Sequence, residues 1–327
     1  MSFITNIRSV AKYESKILVR SWFFRIFTLL AVVFLGFFNF AMMLMEDNFG
    51  LWFAKSVSSN IPYLNLLLLN TGQAVVAVFL SSEFLKRDKK LDTSEVFYVR
   101  PLSNAEYVVG KIWGNLRVFL FLNLLVLAIV LAFNFMASGV TVDLPAYLVY
   151  FFLISIPTLI FIIGLSIFLM LLLKNQALTF ILLLGYIGLT LFYIQDKFYY
   201  LFDYMVYNLP LFKSTIVGFS NLELILNHRA IYFFAGLGFI FFTIFLFKRL
   251  PNARRSHYPW LFLSFCMFLL MVTAGFRHVR SILREGEMRA LYTSINNKYV
   301  YEPKMAIDYY DISVEQKSET IRSVVGM

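Results

Sequence analysis

Acid–base, metal or nucleophilic chemistry needs ionisable side chains gathered at one place, and this 327-residue sequence keeps them away from most of its length. Seven stretches are almost wholly apolar: 22–44, 61–80, 112–136, 147–173, 177–194, 230–247 and 258–276. None contains Asp, Glu, Lys or His. Only Arg25 and Arg117 bring charge, each within about two turns of a stretch's end, where a long side chain snorkels to phosphates. A proton-driven carrier keeps an ionisable group in the bilayer at a cost of about 2.5–3.5 kcal/mol, so its absence argues against one. An intramembrane enzyme would lack its acid and base. The single cysteine, Cys266, excludes an internal disulfide and a cysteine-based metal cluster. Gly110-Lys111 carries the last letters of a phosphate-binding loop, but G-x-x-x-x-G-K-[ST] would need Gly at 105 and Ser or Thr at 112. Ala105 and Ile112 stand there. No H-E-x-x-H occurs either, so we expect no cofactor and no catalysis from this chain.

Amides are the polar groups left inside the apolar stretches. Asn65, Asn70 and Gln73 fall in the second, beside Thr71 and Gly72, and Asn115 and Asn123 in the third. In lipid such side chains avoid hydrocarbon and pair across helices. They are either glue between packed helices or a polar strip along a transport route or subunit interface. Pro157, deep in the fourth stretch, predicts a bend.

The elements that must carry these residues follow from composition. Apolar residues make up 60% and charged ones 15%, with mean hydropathy +0.74, against roughly 25% charged in a soluble domain. A helix crossing about 30 Å of hydrocarbon takes about 20 residues, and all seven stretches qualify. The net charge of +10 sits in short blocks between them rather than on one face, which excludes a nucleic-acid surface. Alternate connections hold fifteen Lys and Arg against four, which predicts a cytoplasmic amino terminus. Trp22, Trp52, Trp113 and Trp260 lie near predicted boundaries, as interfacial rings do. The first stretch is too long, and lacks the cleavage site, for a signal peptide.

Outside the lipid, Arg8, Lys12, Lys16 and Arg20 recur every four residues, opposite Phe3, Ile7, Val10, Ala11, Ile17 and Leu18. This predicts an amphipathic helix over 1–21 at the inner interface. The connection 83–111 contains two helix starts. Asp92 with Glu95 caps a short helix from Thr93 to about Tyr98, and Ser103 with Glu106 forms a capping box opening the next span. Pro101 separates them by pushing Arg100 out of helical geometry.

The order Glu83, Lys86-Arg87, Asp92-Thr93, Glu95, Arg100-Pro101-Leu102-Ser103, Tyr107 and Gly110-Lys111 resembles the coupling loop of type 2 ATP-binding-cassette exporter permeases. The amphipathic amino-terminal helix, the short middle connections and the aromatic segment before the sixth span are similar too, over about residues 1–250. The resemblance implies an all-α polytopic membrane protein with a six-helix permease core over 22–250. It implies a transmembrane subunit moving a bulky amphipathic substrate outward, with ATP and magnesium bound on a separate cytoplasmic ATPase. It also implies a second permease half, identical or not, and a place in the plasma membrane, the inner membrane of a bacterium. Glu83, Lys86, Arg87, Asp92, Thr93, Glu95, Arg100, Pro101, Gly110 and Lys111 would then face or serve the ATPase. The family usually has six spans, whereas a seventh, within 251–276, and a polar tail over 277–327 follow here.

The aromatic segment 195–229 is broken by Asn208-Leu209-Pro210 and predicts two short interfacial or re-entrant helices. In the tail, alternation over 307–314 predicts a strand, which needs a partner and so reads as the start of an extracytoplasmic β domain. Arg277, Arg280 and Arg284 after the seventh stretch go against the charge rule for an external tail. Span count alone also admits a seven-helix receptor or sensor, but the external connections lack paired cysteines and the largest cytoplasmic link lies between spans two and three.

Overall fold

The structure, a computed structural model, describes residues 3–44, 59–82, 102–136, 142–194, 196–209, 211, 213, 218–219, 221–247, 258–302, 309, 311–317 and 320–326. Helix α1 (Phe3–Arg20) turns at Ser21 into α2 (Trp22–Leu44). Then come α3 (Asn60–Ser82), α4 (Asn104–Met136) and α5 (Leu144–Tyr150), which continues through a π-helical turn (Phe151–Ser155) into α6 (Ile156–Leu173). Next are α7 (Gln176–Phe192), α8 (Leu222–Leu246) and α9 (Tyr258–Tyr299), and a hairpin of β1 (Asp311–Lys317) and β2 (Thr320–Gly326) ends the chain. Six helices, with α5 and α6 counted as one, are long and apolar enough to cross a membrane; α7 is shorter at 17 residues. The chain is an all-α polytopic membrane protein.

α2 and α3 run in opposite directions, as do α8 and α9, while α1 lies parallel to the start of α4, so the bundle has an end carrying α1 and a far end. At the α1 end, Asn104 of α4 donates to the Phe247 carbonyl past the last turn of α8 (2.6 Å), and Tyr107 stacks on the Phe247 ring. That bond supplies a partner to a helix-end carbonyl that would otherwise lack one. In the middle, α6 and α8 approach backbone to backbone. A Cβ on Gly164 would lie 2.7 Å from the Gly236 carbonyl oxygen, and one on Gly236 2.7 Å from that of Ile160. Small residues at such a crossing let dispersion replace the hydrophobic effect, which lipid abolishes. The most exposed helix faces are those of α2 and α9, where Leu29, Leu30, Phe37, Phe262 and Phe265 point outward.

Several sequence expectations change. The sixth span begins at Leu222 rather than Ala230, because Asn221, Glu223 and the residues after them extend the helix by two turns. His228 and Arg229 therefore lie inside it, not in a loop. The seventh helix does not stop at Phe276. Nothing between Arg277 and Tyr299 breaks a helix except Gly286, and Glu285 pairs with Arg289 one turn on, so α9 extends about 30 Å beyond its apolar part. Among the described residues of 196–221 there is no α-helix, only a 3₁₀ turn at Phe198–Tyr200 and further turns. The tail strand begins at Asp311 and finds its partner within the chain, with Ile312 opposite Val325 and Glu315 opposite Arg322. The bend at Pro157 takes the form of the π turn just before it. The short helix expected over 93–98 lies outside the described residues.

Candidate functional site

Three polar clusters stand out. The first joins α1 to the opening of α4. The capping box forms as its letters require: the Ser103 amide donates to Glu106 (2.6 Å), and the Glu106 amide to the Ser103 hydroxyl (3.1 Å). Asn6 of α1 adds a bond to the same carboxylate (2.8 Å). One turn on, Gly110 and Gly114 present bare backbone to α1. Cβ atoms there would sit 2.7 Å from the Cβ of Val10 and of Glu14, so only glycine allows this approach. Between them Lys111 pairs with Glu14 at 2.9 Å, the two side chains 1% and 4% exposed. Ser15 donates to the Gly114 carbonyl (2.7 Å), and Arg117 reaches back to the Ser15 hydroxyl and the Ala11 carbonyl. Arg8, Lys12, Lys16 and Arg20 remain exposed on the other side of α1. The apolar face expected to rest on lipid is thus partly spent on α4: Ala11 and Leu18 are buried there, while Phe3 stays exposed.

The second cluster is the amide strip, which divides in two. Asn65 exchanges bonds with Asn39 of α2 (2.7 and 3.0 Å). Asn123 of α4 donates to Gln73 (2.9 Å) and accepts from Asn70 (3.1 Å) and from Ser155 in the π turn (2.8 Å). All five of these side chains other than Asn39 are at most 1% exposed. Asn115, also buried, stands about two turns from Asn123. The strip lies within the bundle, with Asn70 Oδ1 and Gln73 Nε2 buried and without a hydrogen-bond partner.

The third cluster lies at the far end, in the aromatic segment. The described residues of 198–213 cross the bundle there, and their backbone is held in part by side chains from the helices beneath. His278 of α9 donates to the Tyr199 carbonyl (2.9 Å), and His228 of α8 to that of Tyr200 (3.0 Å). A carbonyl only accepts, so each Nε2 carries its proton. The Tyr232 hydroxyl donates to Leu201, Tyr63 to Val206 (3.0 Å) and Tyr150 to Leu211 (2.7 Å). Arg229, 2% exposed, donates to the carbonyls of Tyr204 (2.7 Å), Leu153 (2.6 Å) and Ile154 (3.3 Å) and to the Thr158 hydroxyl (2.7 Å). The Leu153 carbonyl is the one an amide at position 157 would have taken, and Pro157 has none. Asp203 turns inward to accept the amides of Tyr207 (3.0 Å) and Asn208 (2.8 Å). Burial holds its carboxyl above the ordinary carboxylate range, against those two bonds. Phe198, Tyr199, Tyr200 and Val206 adopt left-handed φ of 52°, 59°, 62° and 66°. Each such non-glycine residue costs of order 1–3 kcal/mol and persists only where its surroundings impose it.

Of the sequence-predicted site residues, Gly110 and Lys111 lie in the α1–α4 seam, and Asn65, Asn70, Gln73, Asn115 and Asn123 in the bundle interior. Glu83, Lys86, Arg87, Asp92, Thr93, Glu95, Arg100 and Pro101 lie outside the described residues. Sequence reasoning passed over Glu14 and Ser15, although Glu14 is the one acidic residue of a basic helix and falls on its apolar side. It had Arg117 reaching for lipid phosphates, whereas the guanidinium turns to Ser15 and Ala11 of α1. It placed His228 and Arg229 in the aromatic segment before the sixth span rather than within that span. Among the described residues no group of three or more His, Cys, Asp or Glu could hold a metal ion. The three clusters join helices to one another and to the far-end segment. Comparison with models of known families and with curated proteins finds no match to this chain.

Proposed function

We propose that the chain is the transmembrane permease subunit of an ATP-binding-cassette exporter, moving a bulky amphipathic substrate outward on ATP hydrolysed by a separate cytoplasmic ATPase. One observation carries the reading: Gly110-Lys111, the residues that close the family-like loop, are the ones fastened to the amphipathic helix through Glu14, Val10 and Ile7. A push on loop 83–101 would then reach α1 and α4 as one body. In this reading the α1 end faces the cytoplasm, since the basic blocks flank it, and the far end faces outward. Arg8, Lys12, Lys16 and Arg20 are left free for lipid phosphates. The amide cluster, sealed within one bundle, keeps it stiff. The exposed faces of α2 and α7, with Phe37 and Ile181, are where a second permease half would dock. The hairpin after α9 belongs to the extracytoplasmic side.

The chain co-purified from its own membranes should bring an ATPase with it and hydrolyse no ATP when that partner is stripped away. Removing residues 92–98 should abolish the association while leaving the chain folded. An ATPase that stays bound after this deletion overturns the coupling assignment, and ATP hydrolysis by the chain alone overturns the reading.

A further inference from the structure

We propose that Arg229 is the positioning residue of a cover: it pins residues 198–209 across the far end of the bundle, and the cover opens when its guanidinium gives up the Tyr204 carbonyl. The inference deepens the exporter reading and rests on it for the direction of passage, but the pinning itself does not.

Three observations converge on Arg229. Its guanidinium bonds three elements at once, namely the covering segment at Tyr204, the π turn at Leu153 and Ile154, and α6 at Thr158. It does so in a fully packed place, where a cation is costly unless its donors are satisfied. All four bonds go to neutral oxygens. A paired carboxylate would hold more tightly, and Asp203, the nearest acid in the segment, spends both its oxygens on its own backbone amides. Four of its five N–H donors are thus held, none by a charged partner. The segment is also under tension, with Phe198, Tyr199, Tyr200 and Val206 in the left-handed region. A strained strap whose own backbone bonds close only single turns, and which is otherwise held by side chains, relaxes when the grips let go.

The other grips lie around this one. His228, His278 and Tyr232 hold residues 199–201, Tyr63 holds Val206 and Thr71 meets the Tyr207 hydroxyl, each by a single bond. Further along, Tyr150 holds Leu211, and Asp143 and Ser59 hold Lys213. Arg229 makes the most bonds between the strap and the break in the neighbouring helix, and the Thr158 hydroxyl, against both the guanidinium and the Tyr204 carbonyl (3.3 Å), adds a second link. Movement at Pro157 would therefore be felt at the cover chiefly through Arg229 and Thr158.

The test uses the full chain in membranes. In a Cys266→Ser background, Val206→Cys places one thiol where the native side chain is wholly buried, and a membrane-impermeant maleimide added from the far side reads its exposure. The thiol should label slowly in this parent. Adding Arg229→Gln should raise the rate at least tenfold, and Arg229→Lys, which cannot span three carbonyls, should fall between. Thermal unfolding of each variant is followed in parallel. If Arg229→Gln lowers the unfolding temperature but leaves labelling well below that temperature unchanged, Arg229 is merely structural and the proposal falls. Should Arg229→Gln fail to fold, Thr158→Val stands in, with several-fold faster labelling expected and an unchanged rate overturning the proposal. Labelling needs no ATPase. Faster labelling in a chain that binds no ATPase keeps the pin and removes the exporter reading; unchanged labelling in a chain that does bind one has the reverse meaning.

Discussion

The two ends of the bundle are fastened in different ways. At the α1 end, side chain meets side chain: Lys111 pairs with Glu14, Asn6 with Glu106 and Arg117 with Ser15, while two glycines let the helices touch. At the far end, side chains grip backbone: Arg229, His228, His278, Tyr63 and Tyr150 each hold carbonyls of one irregular segment. The first arrangement fixes two regular elements in one register and leaves no strain. The second holds a strained strap whose own backbone bonds close only single turns. Under the proposed function, a rigid seam at one end and a releasable cover at the other are what a machine driven from one side requires.

Breaking the seam should cost most. Glu14→Ala leaves Lys111 buried without its partner, and loss of about 3–5 kcal/mol is expected on breaking such a pair. Chemical unfolding in detergent and early proteolysis of α1 are the readouts. Glu14→Leu with Lys111→Met should recover most of the loss, because replacing both charges avoids desolvation. Gly114→Val comes next. Its side chain would collide with Glu14 and Ala11, and overpacking of this kind costs about 1–3 kcal/mol, with α1 displaced and open to protease. At the far end effects on stability are smaller and effects on exposure larger. Thr158→Val removes one of four guanidinium partners, for about 1 kcal/mol, and should loosen the strap without detaching any helix. Asp203→Asn should change least, under about 1 kcal/mol. It keeps one acceptor for the Tyr207 amide and relieves a buried charge that burial already disfavours.

The same contrast explains what could be read from sequence. The capping box at Ser103 and Glu106, the basic stripe of α1 and the apolar stretches are patterns of letters, and each sets local structure through its own side chains. The bend at Pro157 was legible for the same reason. The far-end cover was not, because its bonds end on carbonyls, which every residue possesses and no sequence pattern marks. Asn208-Leu209-Pro210 signalled a break correctly, but the aromatic residues around it became turns. Their chain is held from below and has no need of helical bonds. The missed two turns of α8 had a further cause: His228 and Arg229 look like loop residues until their partners on the strap and the π turn are known. The extension of α9 was missed because loss of hydrophobicity was equated with loss of helix.

The most direct test of the account joins the two ends. In membranes containing the chain with its co-purified ATPase, the rate of maleimide labelling at Val206→Cys, in the Cys266→Ser background, is measured with and without ATP. The account predicts that ATP turnover speeds labelling at the far end, and that deleting residues 92–98 abolishes the response. An intact complex that hydrolyses ATP while the thiol at 206 labels at the same rate throughout would contradict it.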